Sequence, residues 1–139
     1  MEVHETTDAA ATAELAAGLA VRLRVGDVVL VEGELGAGKT TFVRGACRAL
    51  GVEGAVTSPT FALAHRYAGA DGLIVAHLDL YRLNGLEAED PDLLDDYLGP
   101  DRLTFVEWPR AERAAFGTVR MRVRLEHLGG DGRRIEVEA

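Results

Sequence analysis

The segment Gly33-Glu34-Leu35-Gly36-Ala37-Gly38-Lys39-Thr40 carries residue types whose spacing serves phosphate chemistry. It fits the pattern G-x-x-x-x-G-K-[ST] at every fixed position. Gly36, Ala37 and Gly38 let backbone N–H groups converge on phosphate oxygens without side chains intruding. Lys39 is the only lysine among the chain's 15 basic residues, the other fourteen being arginine. A compact ammonium on a flexible stem can reach between β- and γ-phosphates where a planar guanidinium does not fit as well. The Thr40 hydroxyl is placed to ligate Mg²⁺, and Thr41 to contact the α-phosphate. Two carboxylates stand where a metal and an attacking water need them, at the ends of apolar runs: Asp79 after 73–78 and Glu107 after 103–106. The expected assignment gives Glu107 the metal or its water, with Asp79 close to the metal and the γ-phosphate.

Further groups surround this constellation. Pro59 in Thr57-Ser58-Pro59-Thr60-Phe61 fixes its own φ and holds Ser58 extended, so Ser58 and Thr60 present hydroxyls from a stiff loop. Such a segment either senses a γ-phosphate, as switch loops do, or is an ordinary turn before a strand. The single asparagine, Asn84, belongs to no Asn-Lys-x-Asp element, so the usual guanine reader is missing and ATP is the expected nucleotide. With no glutamine in the chain, a Ras-type catalytic glutamine and a transporter-type glutamine loop are both excluded. The four histidines lack zinc spacing. His77 reads as structural, Cys47 as a buried small hydrophobe, and Trp108 either as core or as a wall of the nucleotide or partner site.

Elements must carry these groups. Asp8 can cap a helix over 9–24, with Leu15, Leu19 and Leu23 on one face. Val28-Val29-Leu30-Val31 is a continuous apolar run, as expected of a strand buried on both faces of a parallel sheet. It enters the glycine loop directly, and residues 40–50 read as the following helix, closed by Gly51. Residues 61–67 and 73–78 read as strands around Ala70-Asp71-Gly72. A helix is expected over 86–98, a buried strand over 103–106, and a short helix opened by Pro109. Val119, Met121, Val123 and Leu125 alternate with arginines, and Ile135 and Val137 with Arg134, Glu136 and Glu138, so a C-terminal hairpin turns at 129–132 with one face wet. The arginine stripe reads as cross-strand charge pairing. Together these predict an α/β P-loop NTPase over 1–139: a single three-layer domain whose mostly parallel central sheet gains antiparallel hairpin strands.

Bulk properties bound the partners. A formal charge of −8 over 139 residues argues against a direct nucleic-acid clamp. One cysteine suits a reducing cytoplasm, the start of the chain does not read as a signal peptide, and no apolar run approaches the ~20 residues of a membrane span. The acidic cluster from Glu87 to Asp101 is either a solvated helix face or a docking surface for a basic partner.

Four segments in this order resemble one family: 33–42 with the glycine loop, Ser58-Pro59-Thr60-Phe61, His77-Leu78-Asp79-Leu80-Tyr81-Arg82-Leu83, and Val106-Glu107-Trp108-Pro109. The spacing is similar to that of the TsaE (YjeE) family, small bacterial ATPases of tRNA threonylcarbamoyladenosine synthesis, and the likeness spans nearly the whole chain. The family commonly has phenylalanine where Leu78 stands, and 87–100 matches only loosely. The resemblance implies ATP on the loop, Mg²⁺ at Thr40 and Glu107, a functional carboxylate at Asp79 and a switch at Ser58 to Phe61. It also implies that Arg133, within Asp131-Gly132-Arg133, approaches the nucleotide. The partners it implies are TsaB and TsaD, with TsaC making the activated threonylcarbamoyl-adenylate upstream. ATP hydrolysis would then keep the TsaB–TsaD transferase cycling, with tRNA engaged only through that complex. Two rival readings of the same loop are a small P-loop kinase, with Arg110 and Arg113 as lid cations, and a nucleotide-gated binding module with negligible turnover.

Overall fold

The computed structural model describes residues 1–34, 36–57, 64–79, 98–107 and 118–139. Their elements are β1 (Glu2–Thr6), α1 (Ala9–Ala20), β2 (Val28–Gly33), α2 (Lys39–Ala49), β3 (Ala64–Ala68), β4 (Ile74–Asp79), β5 (Leu103–Glu107), β6 (Met121–His127) and β7 (Arg133–Glu138). The seven strands form one sheet in the order β1-β7-β6-β2-β5-β4-β3. Strands β6, β2, β5 and β4 run parallel, while β7 and β1 on one side and β3 on the other pair antiparallel. A mostly parallel sheet with antiparallel additions is the expected P-loop NTPase arrangement.

The central strands are buried because their apolar runs face cover on both sides. On one face Val29, Val31, Val75, Leu103, Phe105 and Val123 pack with Ala16 and Leu19 of α1 and Phe42, Val43 and Cys47 of α2. On the other, Val28, Leu30, Ala76, Leu78 and Val106 form a second cluster against Ala64, Leu98 and Val119. Parallel strands buried on both faces need such uninterrupted apolar sequence. Burial pushes the Cys47 thiol up to about 12, so it stays a protonated core side chain.

Helix α1 begins where expected: Asp8 Oδ1 accepts from the Ala11 N–H at 2.8 Å. It stops at Ala20, short of the predicted 24. Arg22 N–H and Leu23 N–H bond three residues back, to Leu19 and Ala20, and Asp27 Oδ2 accepts from the Arg24 N–H at 2.7 Å. That tightening turns the chain into β2. Helix α2 starts one residue early, at Lys39, and Gly51 closes it with φ +88°.

The two helices touch backbone to backbone. A Cβ on Gly45 would lie 2.3 Å from the Ala13 carbonyl oxygen and 2.6 Å from its Cα. Gly45→Ala would gain about 1 kcal/mol of helix propensity but force α1 off the sheet. Overpacking of this kind costs about 1–3 kcal/mol or more, and against rigid backbone the upper end is expected. The net result is a melting temperature lowered by several degrees in scanning calorimetry; an unchanged value would show that the helices can separate freely.

Strand β1 went unforeseen. Its residues Glu2, Val3, His4, Glu5 and Thr6 lack an apolar stripe, yet they pair along β7 from Glu2↔Val137 to Thr6↔Arg133. The strand is pinned to α1 by the Thr6–Thr12 hydroxyl bond at 2.7 Å and to the turn after α1 by Glu2 with Arg22. The arginine stripe holds as charge pairing, with a partner the sequence did not name. Arg122 and Arg124 face Glu138 and Glu136 across β7 in register, but both reach to Glu32 on β2, at 2.7 Å and 3.5 Å. The helices expected at 86–98 and after Pro109 fall outside the described residues, apart from Leu98, as do 61–63 of the strand expected from Phe61.

Candidate functional site

The phosphate loop leaves the C-terminal end of β2 and enters α2 through Gly36 and Gly38, at φ +78° and +96°. Both lie in the left-handed region that glycine adopts without penalty. A Cβ on Gly36 would meet nothing within 4 Å, so the loop is open there. Gly38 is the helix N-cap and offers no side chain to the first turn. The first helical bond at that end is Phe42 N–H to the Gly38 carbonyl, at 2.9 Å. The N–H groups ahead of it have no intrahelical acceptor and point, with the helix dipole, at whatever occupies the loop.

Lys39 is buried, and its Nζ donates to the Gly33 carbonyl at 2.8 Å and the Glu34 carbonyl at 2.9 Å. Loss of hydration lowers its pKa, while the charges of Glu107 and Asp79 oppose that shift. The ammonium is therefore held by the loop carbonyls and lies within the field of both carboxylates.

Those carboxylates are register partners, Asp79↔Glu107, on adjacent parallel strands. Strand neighbours lie about 4.8 Å apart, so the two acids end their strands side by side. They continue the face of the sheet that α2 covers, since Phe105, two residues before Glu107, packs in the α1/α2 core. Glu107 is buried, and Thr40 Oγ1 lies 3.1 Å and 3.3 Å from its two oxygens. The structure thus brings together Lys39, Thr40, Asp79 and Glu107. Thr41 follows on α2, half-buried. Ser58, Thr60 and Trp108 fall outside the described residues.

Arg133 reaches the loop from the opposite side to the acids. Its Nε donates to the Ala37 carbonyl at 2.9 Å and Nη2 to the Gly36 carbonyl at 3.2 Å. Nη1 donates to the Gly130 and Gly132 carbonyls, at 3.0 Å and 2.7 Å. One guanidinium therefore ties the Gly36 and Ala37 carbonyls of the loop to the β6–β7 turn. An approach to the nucleotide was expected of Arg133; its hold on the carbonyls was not. Sequence offers no signal for bonds to main-chain oxygens 96 and 97 residues away.

His77 does more than the structural role its sequence context suggests. It is fully buried, and its Nε2 bonds Glu107 Oε2 across the strands. The period of two was the available signal, because it places His77 on the same face as Asp79.

The donors near the loop are hydroxyl and carboxylate oxygens, the set that suits a hard cation. Among the described residues no cluster of three His, Cys, Asp or Glu could cage a metal by itself. No helix among the described residues is long and apolar enough to cross a membrane.

Comparison with known proteins shows the family and the fold. The family model for "Threonylcarbamoyl adenosine biosynthesis protein TsaE" matches residues 6–135. The tRNA threonylcarbamoyladenosine biosynthesis protein TsaE of Streptomyces coelicolor is 44% identical over 119 residues, covering 85% of this chain and 80% of that one. The protein of the same name from Bacillus subtilis is 37% identical over 131 residues, covering 93% and 78%. The crystal structure of Bacillus subtilis YdiB superposes with a TM-score of 0.77 at 31% identity, covering 98% of this chain and 82% of that one. With the match running from β1 into β7 and relatives this similar across most of its length, the chain belongs to the TsaE family of tRNA threonylcarbamoyladenosine biosynthesis proteins.

Proposed function

We propose that this chain is a Mg²⁺-dependent ATPase whose hydrolysis resets a TsaB–TsaD complex during N6-threonylcarbamoyladenosine formation at tRNA position 37. One observation carries the reading. Thr40 at the start of α2 bonds Glu107 at the end of β5, the register partner of Asp79, and the residue before Thr40 is the buried Lys39.

Each residue then has a task. The N–H groups of the loop and first helical turn cradle the phosphates, with Gly36, Ala37 and Gly38 leaving room for them. Lys39 exchanges its loop carbonyls for phosphate oxygens and stabilises the charge that develops as the γ-phosphoryl group leaves. Thr40 and Glu107 hold Mg²⁺, with Asp79 beside them. The ion, when bound, screens the phosphate charge and orients the triphosphate. Asp79 and Glu107 orient the attacking water, and Thr41 meets the α-phosphate. Ser58 and Thr60 are assigned to a γ-phosphate switch on the family resemblance. The acidic net charge suits a protein that acts on a partner rather than on nucleic acid directly. The whole chain acts as one domain in the cytoplasm under this reading.

Depleting the protein and measuring threonylcarbamoyladenosine in tRNA by mass spectrometry tests the proposal. Modification should fall, wild type should restore it and Glu107→Ala should not. Undiminished modification on depletion would remove the reading. In the purified system, phosphate release should require Mg²⁺ and rise when TsaB and TsaD are added.

Arg133→Ala should weaken ATP binding roughly tenfold, which is about 1.4 kcal/mol, because the freed loop must be ordered by the nucleotide. Titration calorimetry against the wild type measures this. Unchanged affinity would mean the loop holds its shape without the clamp.

A further inference from the structure

We infer that His77 is the positioning residue that sets the orientation of the Glu107 carboxylate; this rests on the Mg²⁺–nucleotide site proposed above. His77 lies two residues before Asp79 on β4, on the same face, and its register partner on β5 is Phe105. Its imidazole therefore reaches diagonally across the strands to Glu107. The ring is fully buried, and Tyr67 lies beside it with ring centroids 6.3 Å apart.

The hydrogen bonding fixes the direction of the proton. His77 Nδ1 is buried and has no partner among the described residues. A proton placed there would be a buried donor without an acceptor, which proteins avoid. The proton shared with Glu107 is therefore on Nε2, and His77 donates to Oε2. Glu107 is then held at two points, by His77 from within the sheet and by Thr40 from α2. These two contacts fix the carboxylate plane and aim the group at the end of α2 and the phosphate loop. A buried carboxylate tied only to Thr40, a residue assigned to the same metal, would lose its anchor when the metal drew on both.

Such outer contacts govern metal affinity as well as activity, typically by about 10- to 100-fold. The test compares His77→Leu, which keeps bulk but has no donor, with His77→Gln, whose side-chain amide N–H can take the place of Nε2–H. Mn²⁺ affinity of the ATP-loaded protein is read by electron paramagnetic resonance, ATP affinity in chelator by fluorescence, and the Glu107 pose by crystallography of each metal-free variant. His77→Leu should bind Mn²⁺ at least about tenfold more weakly with Glu107 turned, while His77→Gln stays within about threefold of wild type and keeps the pose. ATP affinity in chelator should not change in either. Wild-type Mn²⁺ affinity and an unmoved Glu107 in His77→Leu would overturn the inference. So would equal damage in both variants, which would mark His77 as packing alone. A wild-type protein that bound neither ATP nor Mn²⁺ would remove the proposed function instead, and the Glu107 pose would still decide the role of His77.

Discussion

Replacing Lys39 with alanine is expected to lower Mg²⁺- and ATP-dependent phosphate release by at least about 10²–10³-fold while the domain stays folded. The buried ammonium is held by the Gly33 and Glu34 carbonyls and faces Glu107 and Asp79. Alanine removes the hydrogen bonds to the loop carbonyls and the attraction to Glu107 and Asp79, which destabilises, and a desolvated charge, which stabilises. These oppose each other, so the change in stability should stay within about 1 kcal/mol. The pH dependence gives an independent check. A lysine whose folded pKa lies below its unfolded value binds fewer protons when folded in the interval between the two, so it makes stability rise with pH there. Burial of Cys47, whose thiol is pushed up to about 12, makes stability fall with pH on the same alkaline side. Denaturant melts should show that fall partly offset by Lys39 in the wild type and steeper in Lys39→Ala. Lys39→Arg should also be inactive, because the guanidinium is too broad and too rigid for the space between loop and carboxylates. Wild-type turnover in Lys39→Ala would remove Lys39 from the chemistry and with it the proposed function.

The parts of this molecule legible in its sequence are those where local pattern and global fold make the same demand. The run 28–31 had to be a doubly covered strand, and the glycines after it had to turn the chain into a helix. Asp79 and Glu107 stand out as strand-end acids because each directly follows an apolar run, where a buried strand emerges from the sheet at a polar edge. What the sequence hid were relations between distant residues. Strand β1 has no apolar stripe because it is an edge strand, held by main-chain pairing to β7, by Thr6 on α1 and by Glu2 on Arg22 in the turn after it. Glu32 looks like an ordinary residue of the β2 end, yet it takes both arginines of β6. Arg133 works on carbonyl oxygens, and a main-chain acceptor leaves no trace in residue identity. His77 reads as structural because no metal spacing contains it; its partner is one strand over and 30 residues away. The family resemblance supplied the partners and the tRNA, which no residue of this chain specifies by its own chemistry.

Glu107→Gln should separate chemistry from architecture more cleanly than any other substitution at this site. Glutamine keeps the length and shape of glutamate. Its amide oxygen can accept from His77 Nε2–H, and its amide N–H can donate to the Thr40 hydroxyl, since a hydroxyl both donates and accepts. Both contacts that hold Glu107 therefore survive in altered form, and the melting temperature should stay near that of the wild type. The negative charge is lost, and with it the strongest oxygen donor at the end of β5 toward a hard cation. Phosphate release in the presence of TsaB and TsaD should fall by about 10²–10³-fold, and the Mg²⁺ concentration needed for half-maximal rate should rise. Glu107→Ala should lose activity too, but it also leaves the His77 N–H buried without an acceptor, which costs about 1–3 kcal/mol of stability. The pair thus yields two signatures: activity lost with the fold intact in Glu107→Gln, and activity lost with a lowered melting temperature in Glu107→Ala. Turnover above a tenth of wild type in Glu107→Gln, with Mg²⁺ dependence unchanged, would show that the metal is held elsewhere. Asp79, its register partner at the end of β4, would then be the carboxylate to substitute next.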